Sequence, residues 1–535
     1  MPAHPLPSRR RFHPRLIRGL LGLLLAGAGS GCASLPKNTN RTPSVAFTDT
    51  AATRLGTKIA EKTALHPGQS GIYPLPDPVA AFTARIAIAA GADRSLDVQY
   101  YIWHPDTTGY LLFEALWQAA ERGVRVRLLL DDMNTKGLDP VIAALDSHAN
   151  IEVRLFNPFA HRSGRLFDYV GDFSRVNRRM HNKSMTADSQ ITIVGGRNIG
   201  DEYFAAGEGV AFADLDVAAV GSVALEVSKE FDLYWASESA YPADRLVKKA
   251  DATTVAAMLE QFKTTRASAE AQQYIEAIKA STFIAHLRAG DLPVEWCNAR
   301  VHYDDPAKVL HPPEVMDYRM GPRLREAMGQ PVRSLDIVSP YFVPGEEGTA
   351  ALCENAKSGI KVRILTNSLA ATDVGVVHAG YSNYRKQLLA AGIQIYELKP
   401  TAVQLAARKD KSAKPKEENS HGGSSGASLH AKTFALDGER IFVGSFNLDP
   451  RSIALNTEMG LLLESPTLAQ MLQQAFAEKF PQNAYEVRLQ SPDGGLEWID
   501  RRPEGDVRFT KEPETSWFRR LGVGFQSLLP IEWLL

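Results

Sequence analysis

The sequence predicts an α/β protein built from two similar halves, each a parallel-rich sheet flanked by helices, related by pseudo-twofold symmetry. Three observations predict it. His181, Lys183, Asp188, Gly195 and Asn198 in "MHNKSMTADSQITIVGGRN" recur as His430, Lys432, Asp437, Gly444 and Asn447 in "LHAKTFALDGERIFVGSFN", all at an offset of 249 residues. Upstream, "RSLDVQYYIWHPDTTG" from Arg94 matches "RSLDIVSPYFVPGEEG" from Arg333, and "RGVRVRLLLDDMNT" from Arg122 matches "SGIKVRILTNSLAAT" from Ser358. In each half a helix-like run joins these strings ("YLLFEALWQAAE"; "TAALCENAK"), and Gly123 and Gly359 stand just past it, where helix C-termini favour glycine. Strand, helix and second strand make a βαβ unit, the building block of a helix-covered parallel sheet.

Taken in order, residues 1–32 read as an export segment: basic "SRRRFHPRLIR", short apolar "GLLGLLLAGAG", then small residues before Cys32. The apolar run is shorter than a bilayer-spanning helix. The layout resembles a bacterial lipoprotein signal peptide, which would make Cys32 the lipidated mature N-terminus. Gly29 departs from the leucine usual there, so cleavage without lipidation stays open, and "SRRRF" weakly resembles a twin-arginine signal. Residues 33–74, which contain "PKNTNRTPS", read as a tether. The first half spans 75–290; its residues 243–290 are amphipathic and free of motifs, a linker or packing layer. The second half spans 291–495, where "GIQIYELKP" matches "NIEVRLFNP" of the first. Within it, "ARKDKSAKPKEENSHGGSSGAS" is a polar insertion with no following Gly-Lys-Ser/Thr, so it reads as a loop over the site rather than a phosphate-binding loop, with His421 incidental. In the tail, 496–535, Trp517, Leu521, Phe525 and Leu528 share one helical face beside Arg519 and Arg520, and Pro530 ends the run. That face either docks on the core or lies in a lipid interface.

Lys and Arg total 60 against 61 Asp and Glu, so the net charge of −1 lacks the broad basic field that nucleic-acid binding needs. Of the basic clusters "HRSGRLF", "RVNRRMHNK" and "RKDKSAKPK", two lead into the repeated motifs, where they suit an anionic substrate. Beyond the export segment only Cys297 and Cys353 remain, both in half-apolar surroundings, so they read as buried thiols. No CxxC or His/Cys cluster suggests zinc.

Strand side chains alternate faces, so His181 and Lys183 point one way and Asn182 and Ser184 the other. A cation beside a histidine is poor core chemistry unless an anion lies between them. One such hairpin reads as solvated surface; two copies with five matched positions do not. If the halves pack about a twofold axis, two histidines, Lys183 and Lys432, and Asn198 and Asn447 line one cleft. That set suits phosphodiester chemistry without metal or cofactor. The lysines neutralise non-bridging oxygens and the asparagines donate to them, while one histidine attacks phosphorus and the other protonates the leaving alcohol. A nearby carboxylate is needed to fix each histidine tautomer and stabilise its imidazolium.

His-x-Lys-x4-Asp followed by Gly-Ser-x-Asn, present twice, resembles the phospholipase D superfamily over roughly residues 75–495. The resemblance implies two α/β halves with the site at their interface and a covalent phosphohistidine. It makes His181 the nucleophile and His430 the acid, although pseudo-symmetry leaves the reverse open. It gives Asp188 and Asp437 a supporting role away from the phosphate. The acidic residue beyond the second motif falls on Glu458 in "NTEMG"; in half one, Asp216 in "FADLDV" is preferred to Asp214. Half one carries Gly196 where half two has Ser445, counted here with the phosphate-binding residues. The missing hydroxyl is expected to enlarge the pocket or weaken an oxyanion contact.

"GGRNIGDEYF", "FADLDV", "GSFNLDPRS" and a terminal "LLPIE" resemble the bacterial cardiolipin synthase C-type branch. That resemblance implies transfer of a phosphatidyl group to phosphatidylglycerol, with phosphatidylethanolamine as donor in studied members, and a small accessory protein for some of them. A membrane surface is the expected partner, and the lipoprotein-like leader implies an envelope location, as a periplasm-facing anchored lipoprotein or a peripheral membrane protein. A hydrolase releasing phosphatidic acid uses the same residues. A secreted nuclease fits the charge poorly, and a pure binding module fits two complete motifs poorly.

Overall fold

The computed structural model describes residues 34–39, 41–206, 212–372, 374–400, 428–491 and 494–527. The export segment with Cys32, the insertion containing His421, and Leu528 with Pro530 lie outside the described residues.

The first sheet runs in the spatial order β8 (Ala240–Pro242), β4 (Ile151–Phe156), β3 (Arg125–Asp131), β2 (Ser95–Tyr100), β5 (Ser184–Ala187), β6 (Ile191–Gly195), β7 (Asp216–Gly221), β1 (Ser70–Leu75). The second runs β15 (Met459–Glu464), β14 (Arg440–Gly444), β13 (Lys432–Leu436), β10 (Ser334–Val338), β11 (Lys361–Asn367), β12 (Gln394–Leu398), β16 (Ala484–Leu489), β17 (Leu496–Asp500), β18 (Val507–Phe509). Strand β9 (Glu295–Tyr303) belongs to both, pairing with β1 through residues 295–297 and with β15 through 298–303. Among the described strands of these sheets, parallel ladders are those of β2–β3–β4 and β10–β11–β12, the strands joined by helical crossovers. The motif hairpins β5–β6 and β13–β14 run antiparallel beside them.

Three of the hydrophobic cores among the described residues define this arrangement. One lies between the first sheet and its helices, around Phe82, Leu112, Phe113 and Leu128. A second does the same for the other half, around Phe342, Ile364, Leu388 and Phe442. The third joins the halves: Val194, Val217 and Ala219 from β6 and β7 pack on Ala435, Val443, Leu461 and Leu463 from β13, β14 and β15. On that inner face each half also carries helical cover: Phe231 and Trp235 of helix Ser222–Ala236 pack with Leu129 and Phe156, and Phe476 packs with Leu365 and Tyr396. Helices Ala252–Ala267, Ala269–Ala280 and Thr282–Ala289 bury Met258, Phe262, Tyr274 and Phe283 in the first core, so the stretch between the halves is a packing layer.

Two boundaries differ from expectation. The stretch read as a tether is packed structure. Buried Arg154 and Arg127 need acceptors and donate to the carbonyls of Thr42 and Ser44, Phe47 lies on the guanidinium of Arg125, and helix Arg54–Leu65 leads into β1. A polar, proline-containing composition conceals these partners because they come from elsewhere in the chain. The tail begins as sheet: β17 buries Trp498 in the second core, and only helix Trp517–Gln526 projects, leaning on helix Gly375–Ala390.

Candidate active site

The site is assembled by two segment crossings that mirror one another. Residue Met180 bridges Thr457, and Leu429 bridges Ala213. The His181 N–H donates to the Thr457 carbonyl at 2.9 Å, and the His430 N–H donates to the Ala213 carbonyl at 2.8 Å. Each histidine segment is therefore zipped to the segment of the other half that leads into β7 or β15. The residue after each zipper partner is the carboxylate: His181 Nδ1 meets Glu458 Oε2 at 2.8 Å, and His430 Nδ1 meets Asp214 Oδ2 at 2.6 Å. Both dyads span the halves. Each histidine side chain stays 10% exposed while its carboxylate is fully buried, which leaves Nε2 as the ring nitrogen available to a ligand.

The structure corrects the choice of Asp216. That residue is fully buried in ion pairs with Arg85 and Arg197, away from either histidine ring. The reason is register. Gly195 pairs with Asp216 and Gly444 pairs with Gly460, so stepping back two residues from the glycine's partner gives Asp214 in one half and Glu458 in the other. That step, available only with strand pairing in hand, was the missing signal.

Gly196 has its own reason. A Cβ there would lie 2.2 Å from Asp214 Oδ1, so the short aspartate occupies the space that a serine would need. In the other half the longer glutamate leaves room, and the Ser445 hydroxyl donates to Glu458 Oε2 at 2.5 Å. Ser445 thus holds the carboxylate, a correction to its reading as a phosphate ligand, and the glycine does not enlarge the pocket.

The lysines complete the cluster. Lys183 and Lys432 are buried, and each donates to the carbonyl of its own motif histidine. Burial, then Lys183, Lys432 and His430, holds the His181 imidazole well below its ordinary range. Burial and Lys432 also lower His430, against the pull of Asp214. Asp214 nevertheless sits at about 2: burial raises it, but His430, Lys432 and Arg197 outweigh that. Burial pushes Glu458 up to about 7.

Asn198 and Asn447 are buried near the rings but differ in detail. Asn198 accepts from the Ile102 N–H and donates to the Tyr203 hydroxyl, whereas Asn447 Oδ1 is buried without a hydrogen-bond partner among the described residues. Asp188 and Asp437 sit at the hairpin turns and accept backbone N–H groups, of Asp93, Arg94 and Ser95 in one half and Val332, Arg333 and Ser334 in the other. They tie each hairpin to the loop before β2 or β10 and lie outside the cluster.

Several contributors carry no sequence motif. Tyr101 presents its ring edge-on to His181 at 5.0 Å, and Tyr203 does so to His430 at 5.3 Å, with Phe212 beside it. Buried Asp131 pairs with Arg179 and accepts the Met180 N–H, setting the segment that carries His181. Among the described residues His104, Asp106 and Glu202 bring ligand atoms within 4.8 Å of one another. Asp106 already caps helix Thr107–Glu121, and Glu202 pairs with His104, so these groups have structural partners.

The family model described as cardiolipin synthase, PLD-like domain, matches residues 86–235 and 324–480. Cardiolipin synthase C of Escherichia coli (strain K12) is 47% identical over 483 residues, covering 90% of this chain and 100% of the relative. An uncharacterized protein of Helicobacter pylori (strain ATCC 700392 / 26695) is 31% identical over 511 residues, covering 94% and 97%. Among solved structures, phosphatidylserine synthase of Haemophilus influenzae Rd KW20 superposes with a TM-score of 0.51 at 14% identity, over 89% of this chain and 100% of that one. At that identity the match bears on the fold alone.

Proposed function

The chain belongs to the cardiolipin synthase, PLD-like family, and from that premise we propose a phosphatidyltransferase that makes cardiolipin from phosphatidylglycerol and a second phospholipid. The observation that carries this reading is the pair of crossed histidine–carboxylate dyads with two buried lysines between them.

His181 is the nucleophile. Its imidazole is kept neutral, Glu458 holds Nδ1–H, and Nε2 attacks phosphorus. His430, whose Nδ1–H rests on the firmly ionised Asp214, is the better holder of a proton and gives it from Nε2 to the departing alcohol. The phosphorus–oxygen bond breaks as the phosphorus–nitrogen bond forms, leaving phosphatidyl-His181. A primary hydroxyl of phosphatidylglycerol then passes its proton to His430, attacks phosphorus and frees His181. Lys183 and Lys432 balance the added charge on the non-bridging oxygens. Burial and Lys432 depress Lys183 without a ligand, with Glu458 opposing them, and an anionic phosphodiester adds to that opposition. The asparagine amide N–H groups supply further donors.

A membrane surface suits such a substrate. No helix among the described residues is long and apolar enough to cross a membrane. Helix Trp517–Gln526 exposes Trp517, Phe518, Leu521 and Phe525, and Leu166, Phe167 and Val170 are exposed on the segment after β4. That segment and Thr372, on which Arg519 rests, both follow the C-terminal ends of parallel strands, the ends at which His181 and Lys432 emerge. Both patches therefore border the reaction side and provide interfacial contact. Lipidation of Cys32 would add a second anchor and a periplasmic address; intact mass of the membrane-extracted protein tests it.

The deciding experiment supplies purified protein with phosphatidylglycerol in mixed micelles, with and without phosphatidylethanolamine, beside His181→Ala and His430→Ala. Cardiolipin lost in both variants supports the transferase, and dependence on the second lipid names the donor. Phosphatidic acid alone overturns the transferase in favour of hydrolysis.

A further inference from the structure

Behind the His181 strand lies a buried carboxyl that the mechanism does not use. Glu230, on helix Ser222–Ala236, has no exposed surface. Its Oε1 accepts from the Asn182 amide at 2.8 Å, and its Oε2 accepts from the Gln99 amide at 2.7 Å. Asn182 stands between His181 and Lys183 and points to the opposite face. Its Oδ1 accepts from the Thr457 hydroxyl at 3.0 Å. Thr457 is the residue whose carbonyl receives the His181 N–H, and it directly precedes Glu458. A continuous chain thus runs from Glu230 through Asn182 and Thr457 to the dyad.

The other half does without it. The offsets that relate the halves place Val338 opposite Gln99, Ala431 opposite Asn182 and Gln474 opposite Glu230. Val338 and Ala431 are buried and apolar, and Gln474 is bonded to Glu478 on the surface. A histidine–lysine strand of this fold therefore closes with no carboxyl bonded to the residue between histidine and lysine, Ala431 having no polar side-chain atom. Burying a carboxyl is unfavourable unless its hydrogen bonds compensate, so this network is not a requirement of the fold. Burial also raises the Glu230 carboxyl to about 8, and a neutral amide can replace it with the Gln99 side chain turned so that its unpaired Oε1 accepts the new N–H.

We propose that Glu230 is a positioning residue for the first half only: through Asn182 and Thr457 it fixes His181 against Glu458 for attack on phosphorus. The inference rests on the phosphodiester-transfer reading above, and it predicts an effect on the chemical step rather than on substrate binding. Small displacements of a reacting group cost about a hundredfold in rate.

The test measures kcat and KM for Glu230→Gln, Glu230→Met and Asn182→Ala, and for the Glu230→Met/Asn182→Ala pair. Each is assayed on mixed micelles of phosphatidylglycerol and phosphatidylethanolamine and on bis(p-nitrophenyl) phosphate, with thermal unfolding as the folding control. Glu230→Met and Asn182→Ala should each lower kcat about a hundredfold with KM within about threefold. The pair should lose no more than either single change, and Glu230→Gln should keep most of the activity. Additive losses, a change confined to KM, or a Glu230→Gln variant as slow as Glu230→Met overturns the proposal. If Glu230→Met does not fold, the comparison of Glu230→Gln with Asn182→Ala decides it alone. A wild type that cleaves the simple diester but makes no cardiolipin sinks the lipid reading and leaves this test intact. A wild type that turns over neither overturns both.

Discussion

The two dyads share one geometry and differ in chemistry. In each, a histidine of one half meets a carboxylate of the other across a mirrored pair of backbone bonds. Around His430 the partner is a short aspartate pressed onto Gly196 and held ionised at about 2. Around His181 it is a longer glutamate steadied by Ser445 and raised by burial to about 7. The backing differs as well: the Asn182–Glu230 network lies behind one histidine and Val338 with Ala431 behind the other. Near the motif asparagines, Glu202 in one half takes the place of Arg451 in the other. Duplication accounts for the shared clamp. The substitutions around it are the basis on which we propose an acid on one side and a nucleophile on the other.

The largest expected effect tests that division. His181→Ala should lower turnover of any phosphodiester by about four orders of magnitude or more. His430→Ala should do so for lipid substrates yet spare a p-nitrophenyl ester, because that leaving group departs without a proton. Equal losses on the activated ester would show that the roles are not divided this way.

The carboxylates come next. Asp214→Asn should cost about a thousandfold, since an ionised partner is replaced by a neutral one beside the acid. Glu458→Gln should cost less, about tenfold to a hundredfold, because Glu458 is already part-protonated near neutral pH. Its sign follows. Below about 7 the group is neutral and gives no counter-charge to the phosphorylated imidazole, so kcat should rise as pH passes upward through that value. Glu458→Gln should lack that limb, and a limb that persists in the variant would assign it to another group.

Exchanging the small residues is milder. Gly196→Ser drives a side chain into Asp214 and should mimic a weakened Asp214→Asn, whereas Ser445→Ala removes one hydrogen bond and should cost about tenfold or less. The reverse ranking would mean that the glycine is not there for the aspartate.

Much of this was legible in the sequence. The repeat exposed the duplication and both histidine–lysine pairs, because those residues keep one offset, and the family resemblance added Glu458. Asp214 was missed for Asp216 because both lie in one short string, and only the pairing of β6 with β7 distinguishes them. The packed segment before helix Arg54–Leu65 was missed because its partners, Arg127 and Arg154, lie far along the chain. Glu230 was invisible for the same reason: a helical glutamate reads as solvated until a fold buries it against Asn182.

The smallest effect on chemistry concerns the third member of each motif. Asp188 is fully buried and takes three backbone N–H groups, so Asp188→Ala should cost about 3 kcal/mol of stability by leaving those donors unpaired. Asp437 makes the same bonds at a half-exposed turn, where water replaces them, and Asp437→Ala should cost about 1 kcal/mol. Although burial pushes the Asp437 carboxyl up, the N–H groups of Ser334, Arg333 and Val332 hold it below its ordinary range. Its contribution is therefore present at neutral pH and lost as pH falls below the ordinary aspartate value. Urea midpoints, taken with kcat of the folded fraction, decide the matter. Lowered midpoints with kcat intact make both aspartates ties between hairpin and sheet. A fall in kcat at unchanged midpoint would return them to the chemistry and erase the distinction between the clamp and its anchors.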